Sequence, residues 1–337
     1  MTTLATPQPS LLPFGLPVAE IPDTSLATKA MLCSVSISVW PARKYDPDVS
    51  DEIAAQHGAE RDAGRYNKLV VPKKALQEIN KIASEARQDH YFLTLPWSDE
   101  GFRVLPAAAY MEHAEKMRRH LARFEPAIKA FEDGFEVLVA DQSKEHSRLG
   151  TMFNIADYPG MVKDGERLIL ANPAELRAKF SFETTVNPLP VASDFRVKLG
   201  EEDQQRIKRQ IEASLNASLQ VGTRELWQRL YKVVRHMAQR LAEYNAAEEG
   251  KGRKLYDAWV DNIVDIVDVL PKLNITKDME LDRMAADVRA SLVVDPEELR
   301  KSESARTDTA KAAAEIAARM AAYMGVPQTG FQGAMTV

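Results

Sequence analysis

The clearest local pattern in the chain is an unbroken alternation of apolar and polar residues over 33–39, Cys-Ser-Val-Ser-Ile-Ser-Val. A period of two is typical of a strand with one buried face and one polar face. Trp40-Pro41 ends the pattern, because proline has no N–H to donate to a ladder. The apolar runs 91–95 and 102–105 flank a short polar loop and predict a β-hairpin. We therefore expect a small antiparallel sheet.

Helical spacing governs most of the remaining chain. Residues 73–87 carry apolar side chains three or four positions apart, and a helix of about 25 residues or more starts at Pro106. Pro126 lies inside that helix and predicts a kink. The interval 150–175 is predicted to be rich in loops, with a turn at Tyr158-Pro159-Gly160. Further elements are expected as strands at 180–182 and 195–199 and as helices within 201–241, 255–270, 277–292 and 308–324.

These elements predict an α+β fold with a small antiparallel sheet and long helices, followed by an all-helical C-terminal region. Five prolines in residues 1–30 predict an extended, Pro-rich arm. Residues 31–199 form the expected α+β domain, and 200–300 form a helical bundle region. Residues 301–337 hold an alanine-rich helix and a flexible tail. That helix either docks thinly on the bundle or forms only on a partner.

Composition narrows the function classes. The chain has 337 residues and a net charge of −5, which argues against a protein that coats nucleic acid over its whole surface. Cys33 is the single cysteine, so no intrachain disulfide can form, as suits a cytoplasmic protein. We expect its thiol to be buried as a small hydrophobe. No apolar run approaches about 18 residues, and no basic residue precedes the first apolar stretch, so we expect neither a membrane span nor a secretory signal.

No catalytic signature is present in the sequence. It lacks GxxxxGK[ST], GxGxxG, HExxH, CxxC and GxSxG, and we therefore predict a non-enzymatic protein without a cofactor. His113 and His120 are two helical turns apart, roughly 10.5 Å, which is too far for one metal ion without other ligands. We expect both on a solvated face, where Glu112 and Glu115 pair with nearby cations, Lys116, Arg118 and Arg119.

Two clusters of basic residues are candidate sites for a nucleic acid or a protein partner. The first comprises Lys116, Arg118, Arg119 and Arg123. The second has Trp227 and Tyr231 interleaved with four cations, Arg229, Lys232, Arg235 and Arg240. Cations for phosphates and rings for bases are what a single-strand groove needs. The other interpretation places the two aromatic residues in a core stripe and leaves the cations on an ordinary wet face.

The segment Ser38-Val39-Trp40-Pro41-Ala42-Arg43-Lys44, the hairpin before a long helix, Asp157-Tyr158-Pro159 and Asn187-Pro188-Leu189-Pro190 give the chain a family resemblance. It resembles an uncharacterised phage and prophage family, known only as a domain of unknown function. Members of that family tend to accompany phage DNA-metabolism genes, including AAA+ ATPases similar to the cobalt-chelatase and MoxR type. The resemblance implies a phage-encoded accessory protein in the host bacterial cytoplasm, and it transfers no catalytic residue.

Three function hypotheses follow. The first is a non-enzymatic phage accessory protein that self-associates as a homo-oligomer and binds a protein partner, an AAA+ ATPase or a host factor. The second is a single-stranded DNA-binding or annealing protein of phage recombination, by analogy at the level of the fold. The third is an enzyme whose site matches none of the signatures above, which would need polar groups converging in a pocket.

Overall fold

The chain is described from a computed structural model, and the described residues are 27–97, 101–148, 153–190, 192, 197, 200–243 and 253–325. They belong to two compact units that alternate along the chain. Unit 1 takes its described residues from 1–34, 93–111 and 186–337, and unit 2 takes them from 35–92 and 112–185.

The strands of the described residues are β1 (Ala30–Ser38), β2 (Arg43–Tyr45), β3 (Asn67–Leu69), β4 (Leu95–Pro96), β5 (Arg103–Pro106), β6 (Met161–Asp164), β7 (Arg167–Leu170) and β8 (Ser181–Pro188). Four of them form a sheet in the order β4-β5-β1-β8, in which β5 pairs antiparallel with both β4 and β1. The pairs β2–β3 and β6–β7 form two separate antiparallel ribbons.

The helices of the described residues are α1 (Pro47–Gln56), α2 (Gln77–Leu93), α3 (Ala107–Arg148), α4 (Pro173–Arg177), α5 (Glu201–Ala242), α6 (Arg253–Leu273), α7 (Met279–Leu292), α8 (Pro296–Lys301) and α9 (Glu303–Met324). Short 3₁₀ turns occupy Lys73–Leu76 and Ile155–Asp157. Capping residues set several boundaries: the Asp46 carboxylate accepts from the Val49 N–H at 3.2 Å where α1 begins, and Gly325 ends α9 with a φ of 65°.

Unit 2 has a core of aromatic and branched side chains. Phe124, Phe131 and Phe135 lie seven and four residues apart on α3, so they share one helix face. They belong to the same buried cluster as Ile79 and Ile82 of α2, which lie three residues apart. Burying side chains of this size contributes about 1.5–3 kcal/mol each relative to exposure.

In unit 1, α9 packs along α5 and also contacts α7 and α8. Its buried face is built from small and flexible residues, Thr309, Ala313, Ile316, Ala317, Met320, Ala321 and Met324. Alanine side chains allow two helix backbones to approach closely. The alanine-rich segment is therefore a helix that docks within unit 1, which resolves the two alternatives left open by the sequence.

The predicted fold class is confirmed: the chain is α+β, with a small antiparallel sheet, long helices and a helical C-terminal region. The alternating segment forms β1, and the predicted hairpin forms β4–β5. Residues 91–93 are the last turn of α2 instead of strand, because Leu93 continues the buried helical stripe of Ile79 and Ile82. The helix after Pro106 is 42 residues long and passes through Pro126.

Three other element predictions need correction or lie outside the described residues. The interval 150–175 contains the β6–β7 ribbon and the start of α4, which the prediction of a loop-rich interval did not include. Val197 belongs to no strand, while Phe195 and Leu199 lie outside the described residues. The proline-rich arm lies outside them up to residue 26.

Among the described residues, no helix combines the length and the apolar character that a membrane crossing requires.

Candidate functional site

A pocket of about 580 Å³, the Trp40 pocket, lies in unit 2 beside the open end of the β2–β3 ribbon. Its lining comes from four parts of the chain. They are the chain after β1 (Val39–Ala42), the ribbon ends (Arg43 and Leu69), the 3₁₀ turn with Val71 before it, and the first turn of α2 (Gln77 and Asn80). Concave sites with an apolar lining and a few polar groups are the usual form of binding sites.

Trp40 forms part of the apolar wall of this pocket. Its ring makes edge contacts with Phe135 and Phe131, with centroids 5.9 Å and 6.5 Å apart, so α3 holds the indole in place. Pro41 follows and ends strand pairing, and Ala42 then adopts a φ of 46°, a value that alanine rarely takes. The Ala42 carbonyl accepts from the Val70 N–H at 2.8 Å, which fixes this turn. Backbone strain of this kind clusters at functional sites.

The pocket carries three positive charges. Arg43, Lys73 and Lys74 are exposed and line it, and no carboxylate of the described residues pairs with any of them. No acidic residue belongs to the lining that the described residues form. Several other cations of unit 2 are paired; Lys129, for example, forms an ion pair with Asp133 along one helix. A fixed positive field beside an apolar wall favours a ligand with both anionic and apolar groups.

The first predicted basic cluster is largely neutralised within unit 2. Lys116 lies 2.9 Å from Asp89 and 3.6 Å from Glu112, and Arg119 lies 3.1 Å from Glu115. Arg123 pairs with Glu85 at 2.6 Å and with Glu78 at 3.5 Å. Among the described residues, Arg118 has no carboxylate partner and donates to the Ala114 carbonyl at 3.4 Å. The predicted pairs of Glu112 and Glu115 with Lys116 and Arg119 are therefore present, whereas the predicted pair with Arg118 is not.

The second predicted basic cluster lies on α5 in unit 1. Arg229 pairs with Glu225 and donates to the Thr94 carbonyl at 2.9 Å, whereas Lys232, Arg235 and Arg240 are exposed. Trp227 is fully buried: its ring packs on Tyr323 with centroids 4.6 Å apart, and its Nε1–H donates to Asp278 at 2.9 Å. Trp227 is thus a core residue, so the interpretation in which its ring stacks on bases is wrong for this residue.

Buried histidines join α2 and α3 in unit 2. Side-chain pairs that connect the two helices include Glu85–Arg123, Asp89–His120 and His90–His113. Residue numbers increase along α2 while those of the partners on α3 decrease, so the helices are antiparallel. The ring nitrogens of His90 and His113 are 3.0 Å apart. The predicted solvated face for His113 and His120 is wrong, because both are buried. Each follows the core stripe: His113 lies four residues before Met117, and His120 lies four before Phe124.

The pKa values in this cluster are shifted by burial and by neighbours. Burial lowers the pKa of His113, and the charge of Asp89 only partly opposes this. Burial disfavours the ionised form of Asp89, but hydrogen bonds from His120 and Lys116 overcome this and hold its pKa below the ordinary value. The His120 Nδ1 is buried without a hydrogen-bond partner among the described residues.

We expect the free energy of unfolding to fall as the pH drops below about 6.5, the unfolded-state value for histidine. Between that value and the lowered pKa of folded His113, the unfolded chain binds more protons, so stability rises with pH. The contribution of neutral His113 to stability is fully present above the pKa of the unfolded state, and it is lost as the pH falls through the pKa of the folded state. Urea midpoints measured from roughly pH 5 to pH 8 should therefore depend less on pH in His113→Gln. An equal loss of pH dependence in the exposed control His57→Gln would contradict this assignment.

Cys33, in unit 1, is buried, and burial raises the pKa of its thiol to about 11. A thiol with such a pKa is protonated at neutral pH and is a poor nucleophile. The predicted burial of Cys33 is confirmed, and the absence of enzymatic activity stays a prediction.

Sequence reasoning missed the Trp40 pocket because its walls come from two segments, 39–43 and 69–80, whose residues no local pattern connects. One signal was available: Lys73-Lys74 follows Pro72, and Arg43 follows Pro41 closely, so cations flank two chain reversals.

Comparisons of this chain with protein-family models, with curated proteins and with solved structures found no match. The resemblance to a phage family therefore stays a prediction.

Proposed function

We propose that this chain is a non-enzymatic binding protein, and that its Trp40 pocket takes an acidic segment of a protein partner that carries one apolar side chain. The observation that carries this proposal is a set of three cations around an apolar wall, Arg43, Lys73 and Lys74, which have no acidic partner in the part of the chain that the structure describes. The apolar side chain of the partner lies against Trp40, Val71 and Leu76, and its carboxylates face the cations. Anchors of this kind dominate the affinity of small interfaces.

A peptide fits this site better than single-stranded nucleic acid does. A nucleic-acid groove needs cations spaced along a track and aromatic faces open to successive bases. Here one indole, already in contact with Phe131 and Phe135, lines one concavity. The net charge of −5 also opposes long-range attraction of a polyanion. A short acidic peptide needs only the local positive charge.

The proposal agrees with the hypothesis of a partner-binding accessory protein drawn from the sequence. The nature of the partner, whether an AAA+ ATPase or a host factor, is implied by the resemblance alone. Self-association is a separate prediction, which light scattering after size-exclusion chromatography tests directly.

Selection from a display library of short random peptides on the full chain tests the proposal. We expect the selected sequences to share one large apolar residue flanked by Asp or Glu. Their affinity should fall by about tenfold or more in Lys73→Glu/Lys74→Glu, because reversed charges repel the carboxylates. Fluorescence anisotropy of labelled selected peptides measures the dissociation constants.

The matched control is Lys163→Glu/Lys179→Glu, which makes the same charge change at exposed positions of unit 2 outside the pocket. It should leave affinity within about twofold. Oligo(dT) is the second probe. Salt-sensitive binding of oligo(dT) that Lys73→Glu/Lys74→Glu abolishes, with no selected peptide, would replace the proposal by a nucleic-acid site. Selected peptides that lack acidic residues, or that bind both double variants equally, would also overturn it.

A further inference from the structure

The register of the β2–β3 ribbon determines which backbone groups face outward. Arg43, Lys44 and Tyr45 lie opposite Leu69, Lys68 and Asn67. Just outside this register, the Val70 N–H donates to Ala42 at 2.8 Å and the Asp46 N–H donates to Tyr66 at 3.0 Å. Bonded and non-bonded pairs alternate in an antiparallel ladder. The backbone groups of Lys44 therefore face β3, and those of Arg43 and Tyr45 face away from it.

The outer edge of β3 is occupied at Leu69. The outward carbonyl of Leu69 accepts from His146 Nε2 of α3 at 2.8 Å. The Tyr158 hydroxyl lies 3.5 Å from Nδ1 of the same ring and helps to hold it. At this position, α3 covers the outer edge of β3 within unit 2.

The outer edge of β2 is open among the described residues. The outward N–H and C=O groups of Arg43 and Tyr45 have no hydrogen-bond partner there, and both residues are exposed. Arg43 and Tyr45 are two residues apart, so their side chains share one face of the ribbon. Arg43 also lines the pocket. The open edge and the positively charged pocket are therefore contiguous.

We infer that the acidic partner segment binds as a third strand on the outer edge of β2, exchanging backbone hydrogen bonds with Arg43 and Tyr45. This inference rests on the proposed function and adds its geometry. In strand addition, main-chain bonds hold the peptide and alternate side chains give specificity. The alternate side chains on the Arg43 face are the acidic ones, and the apolar side chain enters the pocket past the end of β2.

Hydrogen exchange resolved to single amides tests the inference, with the tightest peptide of the display selection as the probe. Binding should slow exchange of the Arg43 and Tyr45 amides at least about tenfold. The Lys44 amide, which already faces β3, is the internal control and should change little. Slowing of all three amides alike would indicate general shielding and would overturn strand addition.

Backbone N-methylation of the probe gives a second, independent readout. Two versions of the peptide carry N-methyl groups on alternate residues, one version on odd and one on even positions. Strand addition predicts that one version loses binding at least about tenfold and the other keeps it, since only one set of peptide N–H groups faces β2. Equal behaviour of the two versions contradicts the inference.

These results separate the two proposals. Charge-dependent binding of acidic peptides without the alternating exchange pattern would support the proposed function and contradict strand addition. A selection that yields no binding peptide would contradict both. Slow exchange of the Arg43 and Tyr45 amides in the concentrated chain without peptide would assign the edge to a second copy instead.

Discussion

Replacing Lys68 by methionine is expected to lower the free energy of unfolding of unit 2 by about 3–5 kcal/mol. The Lys68 ammonium on β3 lies 3.1 Å from Asp157 and 3.8 Å from Asp46. Only 8% of the lysine side chain and 6% of each aspartate side chain are exposed. Methionine fills a similar volume but leaves two carboxylates buried with little compensation. Removing one partner of a buried charge cluster costs far more than the cluster itself contributes.

Hydrogen exchange along a urea titration measures this effect separately for peptides of each unit. The matched control is Lys44→Met on β2, where the lysine side chain is 60% exposed and 3.8 Å from the same Asp157. Exposed pairs contribute about 0–1 kcal/mol, so the control should be mild. Lys68→Met/Asp157→Asn should recover part of the loss, because it removes one unpaired carboxylate. If Lys68→Met proved as mild as Lys44→Met, the cluster would be solvated and this argument would fail.

The same ion-pair cluster helps to fix the β2–β3 ribbon beside the Trp40 pocket. Asp46 follows β2 directly and also accepts from the first turn of α1, while Asp157 comes from the 3₁₀ turn after α3. Lys68 therefore links two separate pieces of chain to β3. Because a Lys68 variant is expected to destabilise the ribbon, peptide binding must be tested at Lys73 and Lys74, which have no charged partner among the described residues.

Elements with strong local periodicity could be predicted from the sequence. β1 and the helices of the C-terminal region were found because alternation and 3.6-residue stripes need no knowledge of partners. The β6–β7 ribbon was missed because only one of its strand residues is buried and its apolar and polar residues do not alternate. Its turn was nevertheless visible: Asp164 and Arg167 pair across Gly165-Glu166, and Gly165 has a φ of 60°. An Asp-Gly pair between short strands is a hairpin signal.

Most of the candidate site could not be predicted in the same way. Burial of Lys68 depends on Asp157, which is remote in sequence, and the pocket depends on Trp40 meeting the turn that starts at Lys73. On α3 and α5, runs of cations suggested a binding surface, and that binding stays a prediction. Most cations of the first cluster are paired within their own unit, and Trp227 on α5 is core. Local charge density indicates a site only where carboxylates are absent in space as well as in sequence.

Replacing Trp227 by alanine is expected to destabilise unit 1 by about 3–5 kcal/mol and to leave any affinity for oligo(dT) unchanged. The ring is completely buried, packs on Tyr323 of α9, and its N–H is satisfied by Asp278, the residue that caps α7. Truncation therefore opens a cavity at the junction of three helices. Trp227→Phe keeps most of the buried ring and loses the hydrogen bond, so it should cost only about 1–3 kcal/mol.

Urea unfolding followed by hydrogen exchange of α5 and α9 peptides measures the stability of both variants. Oligo(dT) anisotropy is recorded on the same samples at a temperature where each variant is folded. A folded Trp227→Ala variant of near wild-type stability that had lost oligo(dT) binding would restore the single-strand groove on α5 and remove the reason for placing the binding site in unit 2.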